Sequence, residues 1–280
     1  MNRSVGDARR LDKLIELKLI DCELCTEIPT LGHLPRLKIL ELVGLKNVYS
    51  IGMSFYYPHI GWFDESTSTE SAGCSQLQAV VLFGALESFR LHNMPHLVEW
   101  TEISTNNATR VVNAFPRLES LDISNCPNLS RAPSHEFPSL KELSISDAEK
   151  RSLLLNQICN SIYNLSSLTS LELRRVSDLT HLPEKLFCKE GPPLSSLKIM
   201  ECSSLTVLEL PGDDHARNAG LQHLERLYII DCRNLTSIIY PVESQSGGLI
   251  SLRDLRILNC NTLTGIPSTM LESSTSLSAI

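Results

Sequence analysis

Apolar residues recur along this chain in one short frame. In LERLYIIDCRNL, from Leu224, a leucine is followed by two variable positions, Leu227, one variable position, Ile229, two more, Cys232, two more and Leu235. The same frame fits LIELKLIDCEL from Leu14, LKILELVGLKNV from Leu37, LESFRLHNMPHL from Leu86 and LESLDISNCPNL from Leu118. It continues in LKELSISDA from Leu140, LTSLELRRVSDL from Leu168, LSSLKIMECSSL from Leu194 and LRDLRILNCNTL from Leu252. Positions two apart, such as Leu227 and Ile229, share one face of an extended strand, while the residues between and beside them point to the other. Each copy therefore predicts a short strand with one apolar face, entered by a leucine from the preceding turn and left through a tight turn.

The copies start at 14, 37, 86, 118, 140, 168, 194, 224 and 252, so most intervals fall in or near the period of about 20 to 29 residues that marks leucine-rich repeats. One such unit cannot bury its apolar face alone, whereas stacked units bury it against one another. The fold class that follows is an α/β solenoid: a leucine-rich-repeat horseshoe with a concave parallel β-sheet and short helical or irregular convex segments. HLPEKLFCKEG and the Pro/Ser stretches are too short and mixed for regular helices throughout. One leucine-rich-repeat domain is expected over 1–280, with about nine repeats. The interval from Leu37 to Leu86 carries a polar insertion near 53–80. Its aromatic first part predicts a packed excursion, DESTSTESAGCS at 64–75 a solvated mobile loop, and Leu77 to Leu82 a degenerate extra repeat. LESSTSLSAI reads as the start of a tenth copy cut off at Ile280, and the first copy begins almost at once, so the expectation is a chain truncated at both ends.

Composition narrows the function classes. An apolar content of 42% supports a sizeable core, and a net charge of −7 argues against the broad basic face that nucleic-acid binding needs. MNRSVGDARRLDKL lacks the apolar run of a signal peptide, and no segment approaches the roughly 18 apolar residues of a membrane span, which predicts a soluble, cytoplasmic chain. The position of Cys232 is shared by Cys22, Cys126, Cys202 and Cys260, but also by Leu45, Met94, Ala148 and Val176. A metal ligand or nucleophile does not tolerate those replacements, so a buried turn residue with a free thiol is expected. Cys22 and Cys25 have the spacing of a redox or zinc pair, yet no second pair follows. Asp213, Asp214 and His215 sit in the polar stretch PGDDHARNAG, which reads as a solvated loop. No phosphate-binding loop, HExxH or GxSxG occurs, so neither an enzyme nor a cofactor nor a metal is expected. Glycosylation sequons at Asn107, Asn128, Asn164 and Asn234 read as chance matches, because Asn234-Leu235-Thr236 encloses a core leucine.

KLIELKLIDCELCTEIPTLGHLPRLKILELVGLKNVYSIG at 13–52, LESFRLHNMPHLVEW at 86–100, AFPRLESLDISNCPNLSRAP at 114–133 and FPSLKELSI at 137–145 closely resemble the leucine-rich repeats of plant intracellular nucleotide-binding disease-resistance receptors of the coiled-coil class. The resemblance implies a domain that recognises a pathogen effector or a guarded host protein and contributes to autoinhibition of the receptor. It also implies, as partners, that protein ligand and the nucleotide-binding domain of the same receptor when full length. None of the family's nucleotide-binding motifs is present, and Gly84 in LFGALESF stands where the family usually has proline. A leucine-rich-repeat substrate adaptor of a ubiquitin ligase, or another protein-interaction scaffold, would use the same sheet, but no F-box segment is found. An extracellular receptor would repeat LTGIP, which occurs once, at 263–267.

The frame also names the concave face, three residues per strand. The middle strands present Ser, Asp, Glu and Arg and read as solvated positions. The last three present Met200, Tyr228, Ile230 and Leu258 beside Lys198, Arg226 and Arg256. An apolar and aromatic patch rimmed by cations is the composition of a protein-binding hot spot, so these seven residues form the candidate site. Ile20, Ile39 and Val43 at the other end are the candidate contact with the receptor's own switch domain.

Overall fold

Nine copies of an alternating apolar frame, each too small to fold alone, have one economical way to bury their leucines, and the computed structural model shows it. The structure describes residues 11–56, 80–101, 103, 112–133, 137–148, 152–159, 165–187, 191–210, 221–240 and 249–272. Strands Glu16–Ile20, Ile39–Val43, Ser88–His92, Ser120–Ser124, Glu142–Ala148, Ser170–Val176, Ser196–Met200, Arg226–Ile230 and Asp254–Leu258 form one nine-stranded sheet in chain order. Every pair is parallel and in unshifted register, so equivalent frame positions lie side by side. The inward leucines of the interior strands, such as Leu40, Leu42, Leu171, Leu173, Leu227 and Ile229, are fully buried. Leu17 and Leu19 in the first strand, and Leu255 and Ile257 in the ninth, are only partly buried, because each of these strands has a sheet neighbour on one side.

A residue with left-handed backbone stands just past or next to the end of each strand: Asp21, Gly44, Asn93, Asn125, Asp147, Arg175, Glu201, Asp231 and Asn259. The reversal turns the chain off the sheet while the amide still reaches the next strand, as from Asp21 to the Val43 carbonyl at 2.8 Å and from Asp231 to that of Leu258 at 2.9 Å. It also swings the next side chain inward. Cys232 is fully buried there, its thiol donating to the carbonyls of Ile199 at 3.8 Å and Ile230 at 3.6 Å. The cysteine thus fills space and satisfies backbone, as expected, while the backbone strain sits one residue earlier. Two positions beyond the cysteine, side chains bridge successive turns. Asn47 donates to the Glu23 carbonyl at 2.7 Å, Asn128 to that of Pro95 at 2.6 Å, and Asn234 to that of Ser203 at 2.8 Å. Asn128 and Asn234 are therefore structural donors; Asn107 and Asn164 lie outside the described residues.

The convex and lateral segments are short: helices Met53–Tyr56, Ser152–Cys159 and Ser268–Glu272, a 3-10 turn Glu184–Phe187, and two-stranded parallel pairs such as Val207–Glu209 with Ser237–Ile239. Helix Met53–Tyr56 realises the packed aromatic excursion. Phe55 and Tyr56 are buried, and the Trp100 indole donates to the Tyr56 hydroxyl at 2.7 Å. The expected degenerate repeat does not exist as a unit of the main sheet, since Ile39–Val43 pairs directly with Ser88–His92. Val80–Val81 pairs on the flank with Val112–Asn113 instead. The physical reason lies in Phe83-Gly84-Ala85-Leu86, which matches Phe115-Pro116-Arg117-Leu118 and Phe137-Pro138-Ser139-Leu140. The three phenylalanines stack at centroid distances of 5.2 and 5.8 Å, so Leu82 and Phe83 are the lead-in to the third repeat. The predicted loop at 64–75, the Asp213, Asp214 and His215 stretch and the tail beyond 272 lie outside the described residues.

Candidate protein-binding face

Because the register is unshifted, the outward residues stand in three columns across the sheet. The first runs Glu16, Ile39, Ser88, Ser120, Glu142, Ser170, Ser196, Arg226, Asp254. The middle runs Lys18, Glu41, Arg90, Asp122, Ser144, Glu172, Lys198, Tyr228, Arg256, and the third Ile20, Val43, His92, Ser124, Ser146, Arg174, Met200, Ile230, Leu258. All nine outward triplets expected from the frame occupy this face.

At the C-terminal end the candidate residues come together. Met200, Ile230 and Leu258 are consecutive in the third column, with Leu258 49% exposed. Tyr228 sits between Lys198 and Arg256 in the middle column. The Arg256 guanidinium lies 4.9 Å from the centre of the Tyr228 ring and grips Asp254 through two bonds of 3.0 Å. The Tyr228 hydroxyl donates to the same carboxylate at 2.5 Å. The bond to Asp254 pushes the Tyr228 hydroxyl pKa up, and the bonds from Tyr228 and Arg256 hold the Asp254 carboxyl below its ordinary range. Asp254 is thus the residue that fixes ring and guanidinium in place, a role that sequence reasoning missed although it stood in the right column. Arg226 stands exposed in the first column, and Lys198 is bound to Glu172 at 3.1 Å.

At the other end Ile20, 49% exposed, is paired in register with Val43. Ile39 is not beside them; it lies in the first column between Glu16 and Ser88, across the charged Glu41.

From Ile20 and Val43 towards the middle strands the face dips into a recess of about 520 Å³, lined at that end by these two residues and beyond them by Glu41, Arg90, His92, Asp122, Ser144, Glu172 and neighbours. His92 and Ser124 share a hydrogen bond of 2.7 Å across it. At its rim, at the strand-ending turns, Arg175 is clamped between two carboxylates. It donates twice to Asp147, once at 2.8 Å, and to Glu201 at 3.2 Å, while Arg174 reaches Glu201 at 2.8 Å. Hydrogen bonding from Arg175 lowers the Asp147 pKa. Burial opposes the same effect at Glu201, but the bonds from Arg175 and Arg174 outweigh it and leave that carboxyl depressed.

Burial pushes Cys202 up to about 12 and Cys232 up to about 11, so both are protonated at neutral pH, and Cys22 and Cys25 are free. No helix among the described residues is long and apolar enough to cross a membrane.

No family model matches the chain. It is 31% identical over 224 residues to a putative disease resistance RPP13-like protein 1 of Arabidopsis thaliana, covering 80% of this chain and 19% of that protein. It is 27% identical over 177 residues to the putative disease resistance protein At3g14460 of the same plant, covering 61% of this chain and 11% of that one. The chain thus spans no more than about a fifth of the length of these relatives. Among solved structures, the leucine-rich repeat domain of the type III effector XCV3220 (XopL) aligns with 72% of this chain and 67% of its own at 22% identity, with a TM-score of 0.43.

Proposed function

We propose, on the premise that the chain belongs with the leucine-rich-repeat regions of plant disease-resistance proteins, that it is the protein-recognition part of an immune receptor. Its C-terminal concave patch contacts the recognised pathogen effector or guarded host protein. The carrying observation is the third column, where Met200, Ile230 and Leu258 place three apolar side chains in register on the outward face, beside a Tyr228 and Arg256 pair already held by Asp254. Outward apolar side chains on a sheet lose nothing by being polar unless a partner covers them, and a pre-positioned aromatic and arginine lower the ordering cost of binding. Ile20 and Val43 at the opposite end, with Ile39 beyond Glu41, are the contact through which the receptor's own nucleotide-binding domain is restrained. In the full-length receptor, Tyr228→Ala with Arg256→Ala weakens capture of the recognised protein and leaves melting temperature unchanged. Ile20→Asp with Val43→Asp raises signalling without ligand. Undiminished capture by a folded Tyr228→Ala, Arg256→Ala receptor removes the C-terminal patch.

A further inference from the structure

The middle column is a row of alternating charges with one member missing. Lys18, Glu41, Arg90 and Asp122 are consecutive in register, and each reaches its neighbour: Lys18 to Glu41 at 3.4 Å, Arg90 to Glu41 at 3.7 Å, Arg90 to Asp122 at 3.0 Å. Beyond the gap, Glu172 bonds Lys198 at 3.1 Å. Between Asp122 and Glu172, where alternation requires a cation, stands Ser144, in register with both. Each carboxylate therefore has a cation on one side and a serine on the other. Ser144 and Ser146 floor the recess at this point, with Ser124 beside them.

We infer that this recess receives an arginine side chain of an extended segment of the bound protein, its guanidinium lying over Ser144 between Asp122 and Glu172. The inference rests on the reading of the concave face as a protein-binding surface. Charge decides the class of occupant. The recess is lined by Glu41, Asp122, Asp147 and Glu172 against Arg90 and Arg174, an excess of two carboxylates; each carboxylate has a cation beside it, but Asp122 and Glu172 have none on the side that faces Ser144. His92 also faces it, bonded to Ser124. Geometry decides the shape. Asp122 and Glu172 stand two strand spacings apart, roughly 10 Å between backbones, and among the described residues no three His, Cys, Asp or Glu side chains are grouped to hold a metal ion. A planar guanidinium with five donors spans such a gap and still meets serine hydroxyls beneath it.

The test is titration of the nitrogen-15-labelled chain with the capped tripeptide acetyl-Gly-Arg-Gly-amide, followed by amide chemical shifts, with the glutamate counterpart and spermine as comparisons. The arginine peptide should move the amides of Asp122, Ser144 and Glu172, and the glutamate peptide should not. Ser144→Lys, which supplies the missing charge from the chain itself, should weaken binding about tenfold or more, the size of one charge-assisted bond, while Ser144→Ala leaves it nearly intact. Ser144→Lys should also melt higher than the wild type and Ser144→Glu lower. Should Ser144→Lys not fold, Asp122→Asn with Glu172→Gln must show the same loss. Shifts confined to other regions, spermine binding as tightly as the peptide, or undiminished binding to Ser144→Lys overturn the proposal. Tyr228→Ala with Arg256→Ala does not touch this recess, so failure of the C-terminal patch and failure of the arginine site are separate results.

Discussion

Gly44 and Gly32 show how single positions carry the solenoid for different reasons. Gly44 is in the left-handed region at φ 66°, and an added Cβ would lie 2.0 Å from the Asp21 side chain, which can move aside. Gly44→Ala should therefore cost chiefly the backbone term, about 1 to 2 kcal/mol. At Gly32 the added carbon meets the Tyr56 carbonyl oxygen at 2.5 Å, which cannot move without the helix Met53–Tyr56. Gly32→Ala should be the more damaging of the two by urea denaturation. The buried thiols give a pH prediction. Their folded pKa values, about 12 for Cys202 and about 11 for Cys232, exceed the ordinary 9.0. The neutral thiol is thus favoured by folding, and the associated stability is complete below pH 9 and lost as pH rises through 11 to 12. Cys202→Ala with Cys232→Ala should flatten the alkaline limb of the stability curve, and native iodoacetamide labelling should spare both.

At the scale of the element, the strand is the most legible object in the chain. Leucines two apart dictate an alternating strand, and all nine outward triplets follow from that alternation because unshifted register leaves them nowhere else to point. Leu227, fully buried between Leu197 and Leu255, should lose about 2 to 5 kcal/mol on replacement by alanine, and Cys232→Ala much less. Urea titration of the two variants orders them, and a costlier cysteine would give that thiol more than a packing role. The strand-ending turns were less legible. Asn93, Asn125 and Asn259 belong to a type that tolerates left-handed backbone, but Arg175 and Glu201 do not, and no local rule marks them. Their side chains are held in the clamp with Asp147, and this accounts for their presence only once the strands are side by side. Since Arg175 depresses the Asp147 pKa, that bond contributes stability above the ordinary value of 3.8 and loses it as pH falls through the folded value. The stability difference between wild type and Asp147→Asn should be constant near neutrality and shrink below about pH 4. The missing cation over Ser144 was visible in principle as a break in the row from Lys18 to Lys198. Read strand by strand, however, the serines look merely solvated, and only the column exposes the gap.

Across the whole molecule, apolar packing and outward polar chemistry are divided between the two faces of the same strands. The inward face is a continuous apolar column in which each repeat touches only its neighbours, so the cost of a cavity depends on how many neighbours it has. Leu143 in the fifth strand is 1% exposed and flanked by Leu121 and Leu171, whereas Leu255 in the ninth is partly exposed and paired with Leu227. The two occupy the same frame position, so Leu→Ala deletes the same atoms from both. In this 280-residue chain, Leu143→Ala should shift the main unfolding transition and raise amide exchange on both sides of the fifth strand. Leu255→Ala should raise exchange over 249–272 and leave the first five strands protected. Because the outward columns ride on these strands, the second variant should also loosen the Tyr228, Asp254 and Arg256 group while leaving the recess at Ser144 rigid. Hydrogen exchange read residue by residue decides it. Equal loss of protection throughout the sheet from either substitution would mean that the solenoid unfolds as one cooperative block, and that its C-terminal patch and its recess cannot be loosened independently.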